Sequence, residues 1–201
     1  MADYSIATFL RHFELKDNVD LYHYYFKILE YCASEIDSSS LVLEENYRHK
    51  AKKRMANQQI LVVMALNERA QEIWSDSRYD KEPIITCLEW WIDIKHNQEM
   101  LSVLPDLFIF KGVVETLRNE NRVDCAIACL KAVVFTMNSE REDQKIYNLM
   151  LQLLCQVLLL ADQNLALRCF DTAELLIELV TDFGKKFAPT LVERYSTKLH
   201  E

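Results

Sequence analysis

The chain has 201 residues, half of them hydrophobic and 27% charged, with a formal net charge of -8. That apolar fraction excludes disorder as the main state, and the acidic balance gives no global attraction to nucleic-acid backbone or an anionic membrane. Two glycines and three prolines leave too few tight turns for a many-stranded sheet and no glycine-rich cradle for a phosphate.

Nearly every segment repeats with the 3.6-residue period, which predicts an all-α chain. A first helix is expected over roughly Tyr4 to Leu15. Asp17 or Asn18 can cap a second, running to about Ile36. Its buried face would carry Tyr22, Phe26, Leu29, Ala33 and Ile36, and its wet face Asp20, His23, Lys27, Glu30 and Ser34. The run Asp37 to Ser40 ends it. From Leu41 to about Trp74 the pattern continues without glycine or proline as one long helix or two collinear ones, basic first and then apolar at 60–66. Ser75 to Pro83 is the longest expected loop and the best place to divide residues 1–82 from 83–201, although the two parts read as one continuous unit.

After Pro83 a helix with only a narrow polar strip, Thr86, Glu89, Asp93 and His96 or Asn97, places Trp90 and Trp91 beside a wide buried surface. Pro105 should end it near Val103 or Leu104. Gly112 falls in the first helix of a hairpin, where close packing favours a missing side chain, and Gly184 follows Phe183 where a left-handed helix cap is expected. The apolar run Ile146 to Ala161 is too short to span a membrane, and Asn148, Gln152 and Gln156 stripe it, so it reads as a largely buried soluble helix.

The C-terminal part contains two helical hairpins that align at an offset of 40 residues, setting Ala126, Cys129 and Leu130 on Ala166, Cys169 and Phe170. The segments NENR at 119–122 and ADQN at 161–164 are the corresponding turns. Repeated hairpins of this length indicate a stack in which each pair buries its face against the next. The second hairpin resembles a tetratricopeptide repeat. Ala166, Phe170 and Ala173 reproduce that family's small-aromatic-small spacing, and Met150, Leu153 and Leu154 stand at its first-helix positions. The family's tryptophan, glycine and proline landmarks are missing, Glu178 occupying the proline position, so the resemblance implies a degenerate repeat scaffold that binds another protein. The expected fold is therefore a right-handed α-solenoid of stacked antiparallel hairpins, tetratricopeptide-like in kind.

The sharpest local feature is Arg48-His-Lys-Ala-Lys-Lys-Arg54, five positive charges in seven residues. Arg48, Lys50, Lys52, Lys53 and Arg54 form either a solvated helix surface or an electropositive face for an acidic partner. A nucleic-acid role for the run is the alternative, disfavoured by the acidity of the whole chain. Adjacent aromatics on a helix point about 100° apart, so Tyr22, Tyr24, Tyr25 and Tyr31 cannot all enter one core. Tyr24 or Tyr25 is the expected exposed residue, and both are candidate contacts for a partner.

The six cysteines all lie in or beside apolar helical runs and read as free, mostly buried thiols of a reducing compartment, cytoplasm or nucleus. Cys125 and Cys129, one turn apart, could reach a metal with Cys155 and Cys169, but zinc sites usually draw on paired cysteines in tight loops. The N-terminal residues MADYSIATFLRHFEL carry no export pattern. The histidines are scattered, and Asp93 with His96 lacks the partner carboxylates of a di-iron site. No catalytic, cofactor or metal constellation is expected. The reading is a non-catalytic scaffold or adaptor subunit of a larger assembly, binding a helix or extended segment of another protein away from any membrane; a metal-binding or enzymatic bundle ranks third.

Overall fold

The computed structural model describes residue 6 and residues 18–37, 45–94, 98–118, 122–137 and 144–198. These residues form α1 (Val19–Asp37), α2 (Glu45–Ile73), α3 (Glu82–Asp93), α4 (Gln98–Val103), a 3-10 turn (Leu104–Asp106), α5 (Phe108–Thr116), α6 (Val123–Thr136), α7 (Gln144–Ala166) and α8 (Phe170–Lys198). The expected first helix lies outside the described residues except for Ile6, whose N–H donates to Gln58 Oε1 of α2 at 3.0 Å. The all-helical expectation holds for every described element. None of the described helices is long and apolar enough to cross a membrane.

Helices α1, α3, α6 and α8 follow one another, each packed on the next, with the most extensive contact between α3 and α6. Helix α2 lies against α1, α3 and α5, and α7 packs on α8. One hydrophobic cluster runs through the series from Tyr22 to Phe183. The central place of α3 follows from its sequence: Ile84, Ile85, Cys87, Leu88, Trp91 and Ile92 are all buried, and Trp90 is half-buried against the same core.

Asn18 starts α1 as expected, its Oδ1 accepting from Leu21 N at 3.1 Å. Tyr22, Phe26, Leu29 and Ala33 are buried, as their spacing requires; the side chain of Ile36 lies outside the described residues. The basic and apolar halves of residues 45–73 form one helix, α2, although Leu61 and Met64 on its outer face are exposed. Proline at the second position of α3 fits a first turn that needs no donor there.

Other helix ends are closed by side chains from neighbouring segments. The Lys81 ammonium donates to the carbonyl of Ile73, the last residue of α2, at 3.1 Å and to the carbonyls of Asp76 at 2.7 Å and Tyr79 at 2.8 Å in the loop that follows. Asn67 of α2 accepts from Ile109 N at 3.1 Å, in the first turn of α5, whose own N-cap position is a leucine. Gln59 of α2 donates to the Trp91 and Ile92 carbonyls at 2.6 and 3.2 Å, at the end of α3. Lys186 of α8 donates to the Val134 and Phe135 carbonyls, both at 2.6 Å, at the end of α6. These groups would otherwise be left without helical partners.

Several expectations are corrected. Helix α3 ends at Asp93 rather than continuing to Pro105; Gln98–Val103 is a separate short helix followed by the 3-10 turn that contains Pro105. The turn placed at 161–164 lies inside α7, and the chain reverses instead at 167–169 with Arg168 at φ 62°. The 40-residue alignment therefore sets the middle of α6 on a turn. Aligning the helix starts sets Val123 on Phe170, and so Ala126 on Ala173, both buried.

Gly184 lies within α8 and does not cap it; among the described glycines none has positive φ. Gly112 meets its expectation, because a Cβ there would lie 2.5 Å from Trp74 Cε2 and 2.7 Å from Cη2. Helix α7 is not largely buried: among its described side chains Leu153, Val157 and Ala161 are buried and Leu151, Leu154 and Leu160 are half-buried against the core, while Leu158 and Leu159 are exposed.

Candidate functional site

Helix α1 is apolar on more than its buried side. Beside Tyr22, Tyr25, Phe26, Leu29 and Ala33, a second stripe of Leu21, Tyr24, Ile28 and Tyr31 advances by three, four and three residues along the helix. These four are 39%, 70%, 49% and 53% exposed. Three- and four-residue steps keep side chains on one helix face, the pattern by which a helix accepts another helix. The Lys27 ammonium stands 5.4 Å over the Tyr31 ring and binds Glu30 at 2.8 Å. That hydrogen bond to Glu30 raises the lysine's pKa.

Next to the stripe is an open groove of about 390 Å³, bounded by His23, Tyr24, Lys27 and Glu30 of α1 and by Asp80, Glu82, Pro83 and Thr86. Its far wall is held in place by two contacts. The Tyr22 hydroxyl donates to the Asp80 carbonyl at 2.5 Å, and Arg122 pairs with the Asp80 carboxylate at 2.8 Å. Burial raises the Tyr22 hydroxyl's pKa far above the phenol range, so it remains a donor.

Tyr24 is exposed as expected. Tyr25 is not: it is 1% exposed and packs edge-on against Phe26 at 5.0 Å. The cause is its position on the side of α1 that faces α2, where Arg69 hydrogen-bonds its hydroxyl. Burial pushes that hydroxyl's pKa up, and the guanidinium offsets part of the rise. Tyr25 is thus a core residue and leaves the candidate site. Leu21 and Ile28, by contrast, belong to it and were missed as contacts. Their signal was the spacing itself, which falls outside the stripe that the core uses.

The basic run forms nearly two turns of α2. Lys50, Lys53 and Arg54 are exposed and Lys52 is half-buried; the Arg48 side chain lies outside the described residues. Lys50 stands 6.0 Å over the ring of Tyr47. Arg69, beside Tyr25, is fifteen residues beyond Arg54, or roughly 22 Å along the axis at 1.5 Å per residue. The structure therefore separates the basic run from Tyr24 into two surfaces.

All six cysteines are free. Cys87 and Cys129 are buried, and burial pushes their pKa values well up; Cys125, half-buried, is pushed to about 11. These three stay protonated at neutral pH, unfavourable for a nucleophile or a metal ligand. Cys32 and Cys169 are half-buried and Cys155 is exposed, which corrects the expectation of mostly buried thiols. Among the described residues no group of three or more His, Cys, Asp or Glu side chains is placed to hold a metal ion. Compared with protein-family models, curated proteins and solved structures, the chain matches none.

Proposed function

We propose that the chain is a non-catalytic protein-interaction module, a scaffold or adaptor subunit that receives a helix of another protein along the outer face of α1. The observation that carries this reading is the stripe of Leu21, Tyr24, Ile28 and Tyr31, exposed on a helix whose other side is firmly seated in the core. Aromatic anchors on a fixed helix cost little ordering entropy when a partner binds, which favours their use as hot spots. The architecture we infer is a degenerate tetratricopeptide-like stack. Its support is the succession α1, α3, α6, α8, in which each helix packs on the next while α2 and α5 lie alongside.

Affinity capture with mass spectrometry tests the reading by comparing the wild-type chain with Tyr24→Ser/Ile28→Ser and with Lys50→Glu/Lys53→Glu/Arg54→Glu. Loss of an aromatic anchor costs about 2 kcal/mol, or roughly thirtyfold in affinity, so the α1 variant should lose the captured protein while the basic-run variant keeps it. The reverse outcome, with a captured nucleic acid that dissociates steeply with salt, would favour the basic run as the working surface. Retention of the same protein by both variants would remove α1 as the site.

A further inference from the structure

Two outer faces of this chain complement one another. On α2, Tyr47, Lys50, Arg54, Asn57, Leu61 and Met64 advance by alternating steps of three and four residues, and all are exposed. The stripe is cationic in its first half, where Lys53 stands beside it, and apolar in its second. On α8, Phe170, Glu174, Ile177 and Thr181 advance by four, three and four residues and are also exposed. They line an open groove of about 670 Å³ with Leu165 of α7 at one end and Glu178 and Asp182 on its wall.

The groove is acidic as well as apolar. Glu174, Glu178 and Asp182 face a single lysine of the groove, Lys185, which lies 3.7 Å from Asp182. Lys131 of α6 binds Glu178 at 2.8 Å. Glu174, between Phe170 and Ile177, has no ion partner among the described residues. A helix laid here would need apolar side chains to meet Phe170 and Ile177 and a cation to meet Glu174. Residues 47–64 of α2 carry both, on one face and in a helix already formed.

Within one molecule the two faces are held apart. Helix α2 packs with α1 and α3 at the start of the series, whereas α8 closes it. We propose that a second copy of this chain seats the outer face of its α2 in the α8 groove, so that copies join head to tail. Matching three- and four-residue stripes favour helices crossing at about 20°. Because the two contacting surfaces differ, the contact is heterologous and repeats from copy to copy unless the rotation closes a ring. This inference uses surfaces other than the α1 stripe, and its variants differ from Tyr24→Ser/Ile28→Ser, so either reading can fail while the other stands.

Sedimentation velocity of the full chain over a wide dilution series, at low and high salt, tests the proposal. At low salt the mass should climb with concentration beyond twice the 23.7 kDa chain and return to one chain at high salt, where the attraction between the charged faces is screened. Lys50→Glu/Arg54→Glu should be monomeric, and so should Glu174→Lys/Asp182→Lys, with thermal melts establishing that both fold. An equimolar mixture of the two restores charge complementarity at both kinds of contact, wild-type face in wild-type groove and reversed face in reversed groove, so its mass should climb with concentration again. A monomer at every concentration overturns the proposal, as does a symmetric dimer that neither variant affects. A monomeric chain whose groove binds a synthetic leucine-lysine amphipathic peptide also overturns it, since the occupant is then a foreign basic helix.

Discussion

Replacing Gly112 by alanine sets two opposing effects against each other. Alanine is favoured over glycine in a helix interior by about 1 kcal/mol. The new methyl would, however, fall 2.5 Å from Trp74 Cε2 and 2.7 Å from Cη2, and closer still to Cζ2. The indole has little room to yield, being packed edge-on to Phe108 at 6.1 Å and partly buried against the core. Overpacking of this kind costs about 1–3 kcal/mol, and three overlapping atoms put it near the upper end, so the net loss is about 2 kcal/mol. For a chain of this size that lowers Tm by about 4–8 °C. Gly184→Ala supplies the contrast, since it is also helical but has nothing within 4 Å of an added Cβ. It should raise stability by about 0.5–1 kcal/mol. Both are read by thermal and urea unfolding, and a Trp74→Leu background should abolish most of the Gly112→Ala penalty in a double-mutant cycle. A Gly112→Ala protein that melts at or above wild type, or a penalty unchanged without the indole, would refute the reasoning.

Lys81→Met removes the donor to the last carbonyl of α2 and to two carbonyls of the loop after it and should cost about 1–3 kcal/mol in urea unfolding; a loss too small to measure would mean that water replaces the ammonium. Glu89 is half-buried on α3, and burial, then Asp93 and Glu30, raise its pKa above the ordinary glutamate value. As pH rises past about 4.3 the unfolded chain loses this proton before the folded one, so the residue lowers stability at neutral pH. Glu89→Gln should therefore raise Tm at neutral pH, and the gain should vanish as pH falls below the ordinary glutamate range; a gain of equal size at both would point away from titration.

The helical class and the place of α3 were legible because they depend on composition and on a broad apolar arc. Glycine scarcity, the 3.6-residue period and the narrow polar strip of residues 86–93 each report burial directly. Gly112 was legible for a similar reason: in a chain with two glycines, one placed mid-helix points to a neighbour that needs the space. The misreadings share a different cause. The turn after α7 was placed at ADQN, whose polar residues suit a turn, but the helix continues through them and reverses at Leu167 and Arg168. Gly184 was read as a stop by its residue type, although nothing in its surroundings ends α8 there. Tyr24 and Tyr25 differ by one position and look alike in sequence. Which of them is buried depends on where α2 lies relative to α1, a long-range fact that no local period contains. The α1 stripe was half legible, through Tyr24 but not through Leu21 and Ile28, since an aliphatic side chain on an amphipathic helix is ordinarily assigned to the core.

The side chains that close helix ends across the packing interfaces bear on how the molecule comes apart. A series of helix pairs that touch only their neighbours would be expected to fray from either end, each pair melting at its own temperature. Here the last carbonyls of α3 depend on Gln59 of α2, the first amides of α5 on Asn67 of α2, and the last carbonyls of α6 on Lys186 of α8. Detaching α2 strands polar groups on two other helices at once, and detaching α8 strands those of a third. Partial opening is thereby penalised at sites remote from where it begins, which couples the helices into a single cooperative transition.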